Sequence, residues 1–158
     1  MDKIHQYSLA VEWTGNTGNG TKEYRGYERS HIISFENKVP IAGSSDPAFR
    51  GDKEKHSPED LFVASIAACH MLWYLHLCSD AGIVITEYID HATGTMAETS
   101  NGSGRFIEVT LRPAVTITSE SKRSTAEALH HKANEFCFIA NSCNFPIHHK
   151  PFISVKTM

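Results

Sequence analysis

The spacing of apolar positions changes several times along this chain, and each change marks an element. Residues 5–14 alternate weakly between polar and apolar and then reach WTGNTGNG, a Gly/Asn-rich turn that predicts a strand on either side. SHIISF, residues 30–35, is a second extended stretch. VPIAGSSDPAFRGDKEKHS, residues 39–57, is dense in Pro, Gly, Ser and charge and predicts a loop. A helix then starts from clear signals. Ser57 is a good N-cap, Pro58 suits the first helical position, and Glu59 and Asp60 face the positive end of the helix dipole. It is expected to run to about Ala81, where Gly82 supplies a stop.

Two long strands are expected next, over roughly residues 83–98 and 105–118. A second helix follows, with Ser124 and Glu127 spaced as a capping box and Ala126, Leu129, Ala133 and Phe136 on one apolar face. FISVKT, residues 152–157, closes the chain as a short strand. The order β-β-α-β-β-α-β predicts an α+β fold with helices packed on an antiparallel sheet. A length of 158 residues suits one domain, 1–158, and no internal repeat or low-complexity tract interrupts it.

The first helix is apolar on nearly every face. Leu61, Phe62, Ile66, Ala67, Ala68, Met71, Leu72, Trp73, Leu75 and Leu77 surround it, and such a helix is buried on all sides. A small sheet covers one side only, so a second subunit is expected on the other, making a homodimer. A membrane span needs about 20 largely apolar residues. The best stretch, Phe62 to Cys78, has 17 and includes His70 and His76, which argues against a span. With 15 basic and 18 acidic side chains and no basic stripe, nucleic acid is not an expected partner. The start, MDKIHQYSLAVEW, lacks a signal-peptide pattern, and four cysteines then point to a reducing, cytoplasmic setting.

Chemistry centres on Cys69, in the middle of the apolar helix. Cys69 and Cys78 stand nine residues apart on that helix, about 13–14 Å along its axis, too far for a disulfide. Cys78 reads as a small buried hydrophobe. Cys137 and Cys143, in ANEFCFIANSCNFPI, are both open as partners for Cys69, and periodicity does not choose between them.

SPEDLFVASIAACH resembles the signature of the OsmC/Ohr family (osmotically inducible protein and organic hydroperoxide resistance protein), in which a helix of the form N-P-E-x-L-x-A-A-x-x-A-C carries the peroxide-attacking cysteine. ANEFCFIANS resembles the family's later A-H-x-x-C-P-x-S segment, which carries the resolving cysteine, and VEWTGNTGNGT resembles its first hairpin. The resemblance spans nearly the whole chain. It implies a tightly intertwined dimer in which antiparallel sheets wrap two central helices. It also implies reduction of organic hydroperoxides in an oxidative stress response, without a cofactor, by two cysteines. Cys69 takes the attacking place and Cys137, 68 residues on, the resolving one. A dithiol, small-molecule or lipoyl-type protein, would restore the enzyme. Two positions depart from the family pattern: Phe138 stands where proline follows the resolving cysteine, and Asn134 where histidine precedes it.

A free thiol is only a few per cent ionised at neutral pH, so an attacking cysteine needs a cation nearby. The helix dipole fades beyond the first turn and does not serve a residue three turns inside. The family uses an arginine held by the glutamate of its P-E motif, which falls on Glu59. Arg50, in the loop before the helix, is the favoured arginine, with Arg29 and Arg25 in YRGYERSH as rivals. Its fork can pair a carboxylate and still offer donors to sulfur and peroxide oxygen. Glu59 and Cys69 are ten residues apart, about 15 Å along one helix, so a site using both takes Glu59 from the partner subunit. Phe49, Trp73, Phe136, Phe138 and Phe145 are candidates for an apolar mouth favouring bulky hydroperoxides, although on general burial grounds core packing is the stronger reading for each.

Three rival readings remain. His130 with His131, His148 with His149, and Cys137 with Cys143 lack the ligand spacings of a metal site. A hydrolase using Cys69 with His70 fails because helix neighbours diverge by about 100°. The third is a redox-sensing or apolar-ligand-binding relative without efficient turnover, since a fold does not fix a function.

Overall fold

In the computed structural model, which describes residues 1–156, three short strands form an antiparallel sheet in the order β1 (Ala10–Trp13), β2 (His31–Ser34), β3 (Ile41–Gly43). They belong to the first of two units, Met1–Leu61. The loop between β1 and β2 is tied back by Trp13 Nε1, which donates to the Glu28 carbonyl at 2.8 Å. Gly15 is required there, because a Cβ would lie 1.9 Å from that same oxygen. Strand β3 falls inside the stretch expected to be loop, and corrects that expectation. Its three residues, Ile41–Gly43, are too few to show alternation, and the strand exists through its ladder to β2 and a bridge from Gly43 to His56.

Helix α1 (Pro58–Asp80) begins as the sequence predicts. Ser57 Oγ accepts from Asp60 N at 3.1 Å and Asp60 Oδ2 accepts from Ser57 N at 3.0 Å, a reciprocal cap. It ends as predicted too. Gly82, at φ 64°, donates to the Ser79 carbonyl, and Ile83 N donates to Cys78 O at 2.8 Å, the paired closure that a left-handed residue permits. By length and composition α1 is long and apolar enough to cross a membrane. Its buried positions, Ile66, His70, Tyr74 and Cys78, form one four-residue-spaced face packed inside the second unit, Phe62–Met158.

In that unit each expected long strand is broken once. The first gives β4 (Ile85–Asp90) and β5 (Thr93–Glu98), the second β6 (Gly104–Leu111) and β7 (Pro113–Ile117). The break at Arg112 follows from Pro113, which has no N–H to continue a ladder. Arg112 fixes the bend, its N donating to Asp90 Oδ1 at 2.7 Å and its Nη1 to Thr93 Oγ1 at 2.8 Å. The hairpin therefore contributes antiparallel pairs to two sheets, β4-β7-β9 and β5-β6-β8. Each is extended by one parallel strand: β9 (Phe152–Val155) beside β7 and β8 (Ile147–His149) beside β6. Strand β8 was not expected. The closing strand is shorter than expected, and its last expected residue, Thr157, lies outside the described residues.

Helix α2 (Arg123–Phe136) corrects the capping expectation. A single 3-10 turn, Glu120–Lys122, leads into it, so Ser124 already lies inside the helix and no side chain caps its start. Arg123 pairs instead with Glu120, Nε to Oε1, at 2.6 Å. Tyr74, Cys78, Ile83, Val115, Ile117, Ala126, Ala133 and Ile153 make one core cluster, and Ile66, Val109 and Leu111 a second. The result is an α+β fold.

Candidate functional site

Helix α2 stops at Phe136 because Cys137 turns extended, at ψ 111°. The chain re-enters a four-residue helix, α3 (Phe138–Asn141), whose start is capped by the Cys137 sulfur accepting from Ala140 N at 3.3 Å. This kink sets the Cys137 thiol beside Cys69 of α1, near enough for the two side chains to shift one another's titration. Burial, first, and then the proximity and charge of Cys69 push the Cys137 thiol up to about 12, against the opposing pull of the Ala140 and Ile139 amides. Cys137 is thus held protonated at neutral pH. Cys137 is buried and Cys69 half-buried, so access to the pair is from the Cys69 side.

One helical turn beyond Cys69, the Trp73 ring packs on Phe136, centroids 5.2 Å apart, and edge-on to Phe138 at 5.6 Å. Phe136 and Phe138 flank Cys137 in sequence, and Phe138 is 68% exposed. Three of the five expected aromatics therefore form one partly open wall beside the thiols. Phe145 does not join them, packing on Phe62 and Phe106. Phe49 lies in the first unit, in the 3-10 turn Pro47–Phe49.

The other two cysteines differ from this pair. Cys78 is fully buried and its thiol is pushed up, by burial. Cys143 is half-buried, also pushed up by burial, and its Sγ donates to the Ile139 carbonyl at 3.2 Å.

The three candidate arginines, Arg25, Arg29 and Arg50, all lie in the first unit. Arg29 and Arg50 line one cavity of about 210 Å³ together with Glu28, Ser30, Ser44, Gly51 and Asp52, whereas Arg25 is not part of its lining. Arg29 is committed locally. It donates to the carbonyls of Tyr27 and, at 2.6 Å, Tyr24, and its guanidinium lies over both rings. The Arg50 guanidinium has no hydrogen bond or ion pair among the described residues. Its backbone is held in the left-handed region at φ 66° as the cap of the 3-10 turn, donating to Pro47 O at 3.1 Å. Glu59, in the first turn of α1, has a buried Oε2 without a partner among the described residues.

One constellation was not read from the sequence. His70, His130 and His149 stack in the interior of the second unit. His70 Nε2 lies 3.0 Å from His130 Nδ1, and the His149 ring centroid 4.7 Å from that of His70. Tyr74 stacks on His130 at 3.7 Å. Each histidine comes from a different element, so no spacing rule connects them. The two nitrogens at 3.0 Å point at one another as a hydrogen bond. Among the described residues no three His, Cys, Asp or Glu are arranged to hold a metal ion. Within the adjacent pairs, His131 and His148 face outward, to Glu135 and Glu108.

The family model for OsmC-like protein matches residues 51–151. Among solved structures, the chain is similar to an OsmC-like protein of unknown function from Vibrio cholerae O1, with a TM-score of 0.85 and 28% identity over 94% of this chain and 100% of that one. It also resembles an organic hydroperoxide resistance protein from Elizabethkingia anophelis, with a TM-score of 0.70 and 20% identity over 99% of this chain and all of that one. A third similar structure is an organic hydroperoxide resistance protein from Legionella pneumophila, at 0.66 and 17% identity, covering 98% of this chain and all of that one. At such identities the last two bear on the fold alone. No curated protein gives a significant match.

Proposed function

Because the chain belongs to the OsmC-like family, we propose that it is a thiol-dependent peroxidase that reduces organic hydroperoxides, with Cys69 attacking and Cys137 resolving. The observation that carries this reading is the juxtaposition of the Cys69 and Cys137 side chains beside the Trp73–Phe136–Phe138 wall. Cys69 thiolate attacks one peroxide oxygen, the O–O bond breaks, and the other oxygen leaves and takes a proton as the alcohol. The sulfur is left as a sulfenic acid. Cys137 condenses with it, releasing water and forming a disulfide, which a dithiol, small-molecule or lipoyl-type, then reduces. Keeping Cys137 protonated until then lets one sulfur attack while the other waits. The aromatic wall favours hydroperoxides with bulky apolar groups.

Arg50 is the cation of this mechanism, stabilising the thiolate and the charge growing on the leaving oxygen. Its unpaired guanidinium supports it over Arg29, whose donors are already used by the Tyr24 and Tyr27 carbonyls. Glu59 serves the site of the partner subunit in a homodimer. Two features support the dimer: the partnerless Glu59 oxygen, and the apolar side of α1 left open in one chain, where Leu72 is 63% exposed. The two units act as one cytoplasmic OsmC-like domain, 1–158.

Reduced protein mixed with one equivalent of an organic hydroperoxide, quenched and mapped by non-reducing mass spectrometry, tests the reading, with hydrogen peroxide alongside. The expected result is a rapid Cys69–Cys137 disulfide, faster with the organic oxidant. Equal reactivity of Cys69 and Cys78 overturns it. Cys69 would then be packing, and the exposed aromatic wall would favour an apolar-ligand binder or a sensor instead.

A further inference from the structure

Helix α3 is one turn long and has a sulfur at each end. The N–H of the Ile139–Ala140 peptide points at Cys137 Sγ, 3.3 Å from the nitrogen, and its C=O accepts from Cys143 Sγ at 3.2 Å. One peptide group therefore separates the two sulfurs. Its nitrogen and oxygen are about 2.3 Å apart, which places the sulfurs within about 9 Å of each other. The backbone repeats the link, Cys143 N donating to Ala140 O at 3.1 Å. Cys137 and Cys143 are six residues apart, about 9 Å along a helical path, whereas a disulfide needs the two Cα atoms within about 7 Å. The barrier between these thiols is thus the four residues of α3.

That barrier is tied to the redox state. The cap of α3 is the Cys137 sulfur itself, and drawing that sulfur into a bond with Cys69 weakens the acceptor that holds the Ala140 amide. A single helical turn has little stability apart from its ends. Phe138, in the place where the family pattern has proline, leaves this turn with no fixed φ to resist unwinding. The Cys143 sulfur, bonded to the same turn, is released with it.

We propose that Cys143 is a second resolving cysteine, which takes over the disulfide from Cys69 so that the oxidised enzyme rests with Cys137 joined to Cys143 and Cys69 free to attack again. The relay rests on the peroxidase reading for the first disulfide. Cys143 loses its proton and its thiolate attacks Cys137 Sγ. The Cys137–Cys143 bond forms, the Cys69–Cys137 bond breaks, and Cys69 leaves as a thiolate. No electrons are gained or lost, and no further oxidant is needed. The chain then accepts a second hydroperoxide at Cys69 before any external dithiol acts.

The test uses the full chain and its Cys143→Ser variant. Each is fully reduced, treated with one equivalent of tert-butyl hydroperoxide or, separately, of diamide, and sampled over time by acid quench, alkylation and non-reducing peptide mapping. In the unaltered chain the Cys69–Cys137 linkage appears first and a Cys137–Cys143 linkage grows at its expense. If the two disulfides are of similar stability, about half of Cys69 becomes alkylatable again. In Cys143→Ser the first linkage persists and Cys69 stays blocked. Diamide oxidises dithiols without peroxide chemistry. With diamide, a Cys69–Cys137 linkage that gives way to Cys137–Cys143, when hydroperoxide yields neither, keeps the relay and removes the peroxidase reading. A Cys137–Cys143 linkage that forms without passing through Cys69–Cys137 overturns the relay. Absence of that linkage with both oxidants overturns the relay.

Discussion

His70 Nε2 and His130 Nδ1 meet at 3.0 Å between α1 and α2, and the other nitrogen of each ring is buried with no partner among the described residues. The side chains are 1% and 2% exposed, so neither ring can gain a proton without placing charge in the core. Burial pulls His70 down from 6.5 to about 4 and His130 to about 3, with the neighbouring imidazoles adding to both. His149, stacked on His70, is lowered as well.

Acid lability follows. With folded values below the ordinary 6.5, the unfolded chain binds protons first. The stability these neutral rings allow is intact above about pH 6.5 and is lost as pH falls toward about 4 and then 3. The expected slope is about 1.4 kcal/mol per pH unit for each histidine that titrates only when unfolded. Urea midpoints at pH 7.5, 5.5 and 4.5 measure it. His130→Phe keeps a ring against Tyr74 and removes one titrating group. It should be less stable at pH 7.5, by the roughly 1–3 kcal/mol of leaving His70 Nε2 unpaired, yet show a shallower acid slope. An unchanged slope would show that the cluster does not control the acid transition.

Native-state alkylation should separate the thiols by burial. Cys78 is enclosed by Tyr74 and the strands of β4-β7-β9, and burial keeps its proton on. Iodoacetamide at pH 7.5 is expected to leave Cys78 unlabelled until urea unfolds the chain, while the half-buried Cys69 is labelled under native conditions. Labelling of Cys78 in step with Cys69 would contradict the packing described above.

The loop that carries Arg50 depends on the absence of a side chain at the next residue. A Cβ on Gly51 would lie 1.5 Å from the Ser45 carbonyl oxygen and 2.9 Å from that of Asp46, and both are backbone atoms that cannot swing aside. Gly51→Ala must therefore move the turn, at a cost of about 1–3 kcal/mol by analogy with overpacking. It should also lower hydroperoxide reduction by displacing Arg50. Gly102→Ala is the control. Gly102, in the β5–β6 turn, has φ 84° with open space around it, so alanine there costs about 1 kcal/mol of backbone strain and should leave activity intact. Comparing kcat/KM and urea midpoints for the two variants separates a displaced arginine from general destabilisation.

The parts of this fold that were legible in the sequence are those fixed by local chemistry. Ser57, Pro58 and Gly82 set both ends of α1 through neighbours no more than five residues away, and their signals read true. Strands β3 and β8 have three residues each and exist only through distant partners, so no period revealed them. The Ser124–Glu127 pattern misled because the Glu120–Lys122 turn carries the chain into α2 before Ser124 is reached. The contact between Cys69 and Cys137 was implied by family resemblance and not by spacing. The histidine stack, assembled from α1, α2 and β8, left no trace in either.

Mixed dimers test the assignment of Glu59 across the subunits. Helix α1 is unbroken over Pro58–Asp80, so the ten-residue rise of about 15 Å between Glu59 and Cys69 stands within one chain. If Glu59 acts on its partner's Cys69, neither Glu59→Gln nor Cys69→Ser homodimers should reduce hydroperoxide efficiently. A heterodimer of the two keeps one whole site, in which the Cys69 of the first variant meets the intact Glu59 of the second. Random mixing after unfolding and refolding makes half of the dimers mixed, each with one working site of two, so activity should return to about a quarter of the unaltered protein's. Activity no greater than that of Glu59→Gln alone would mean that Glu59 does not reach across. The orphaned Glu59 oxygen would then need another partner.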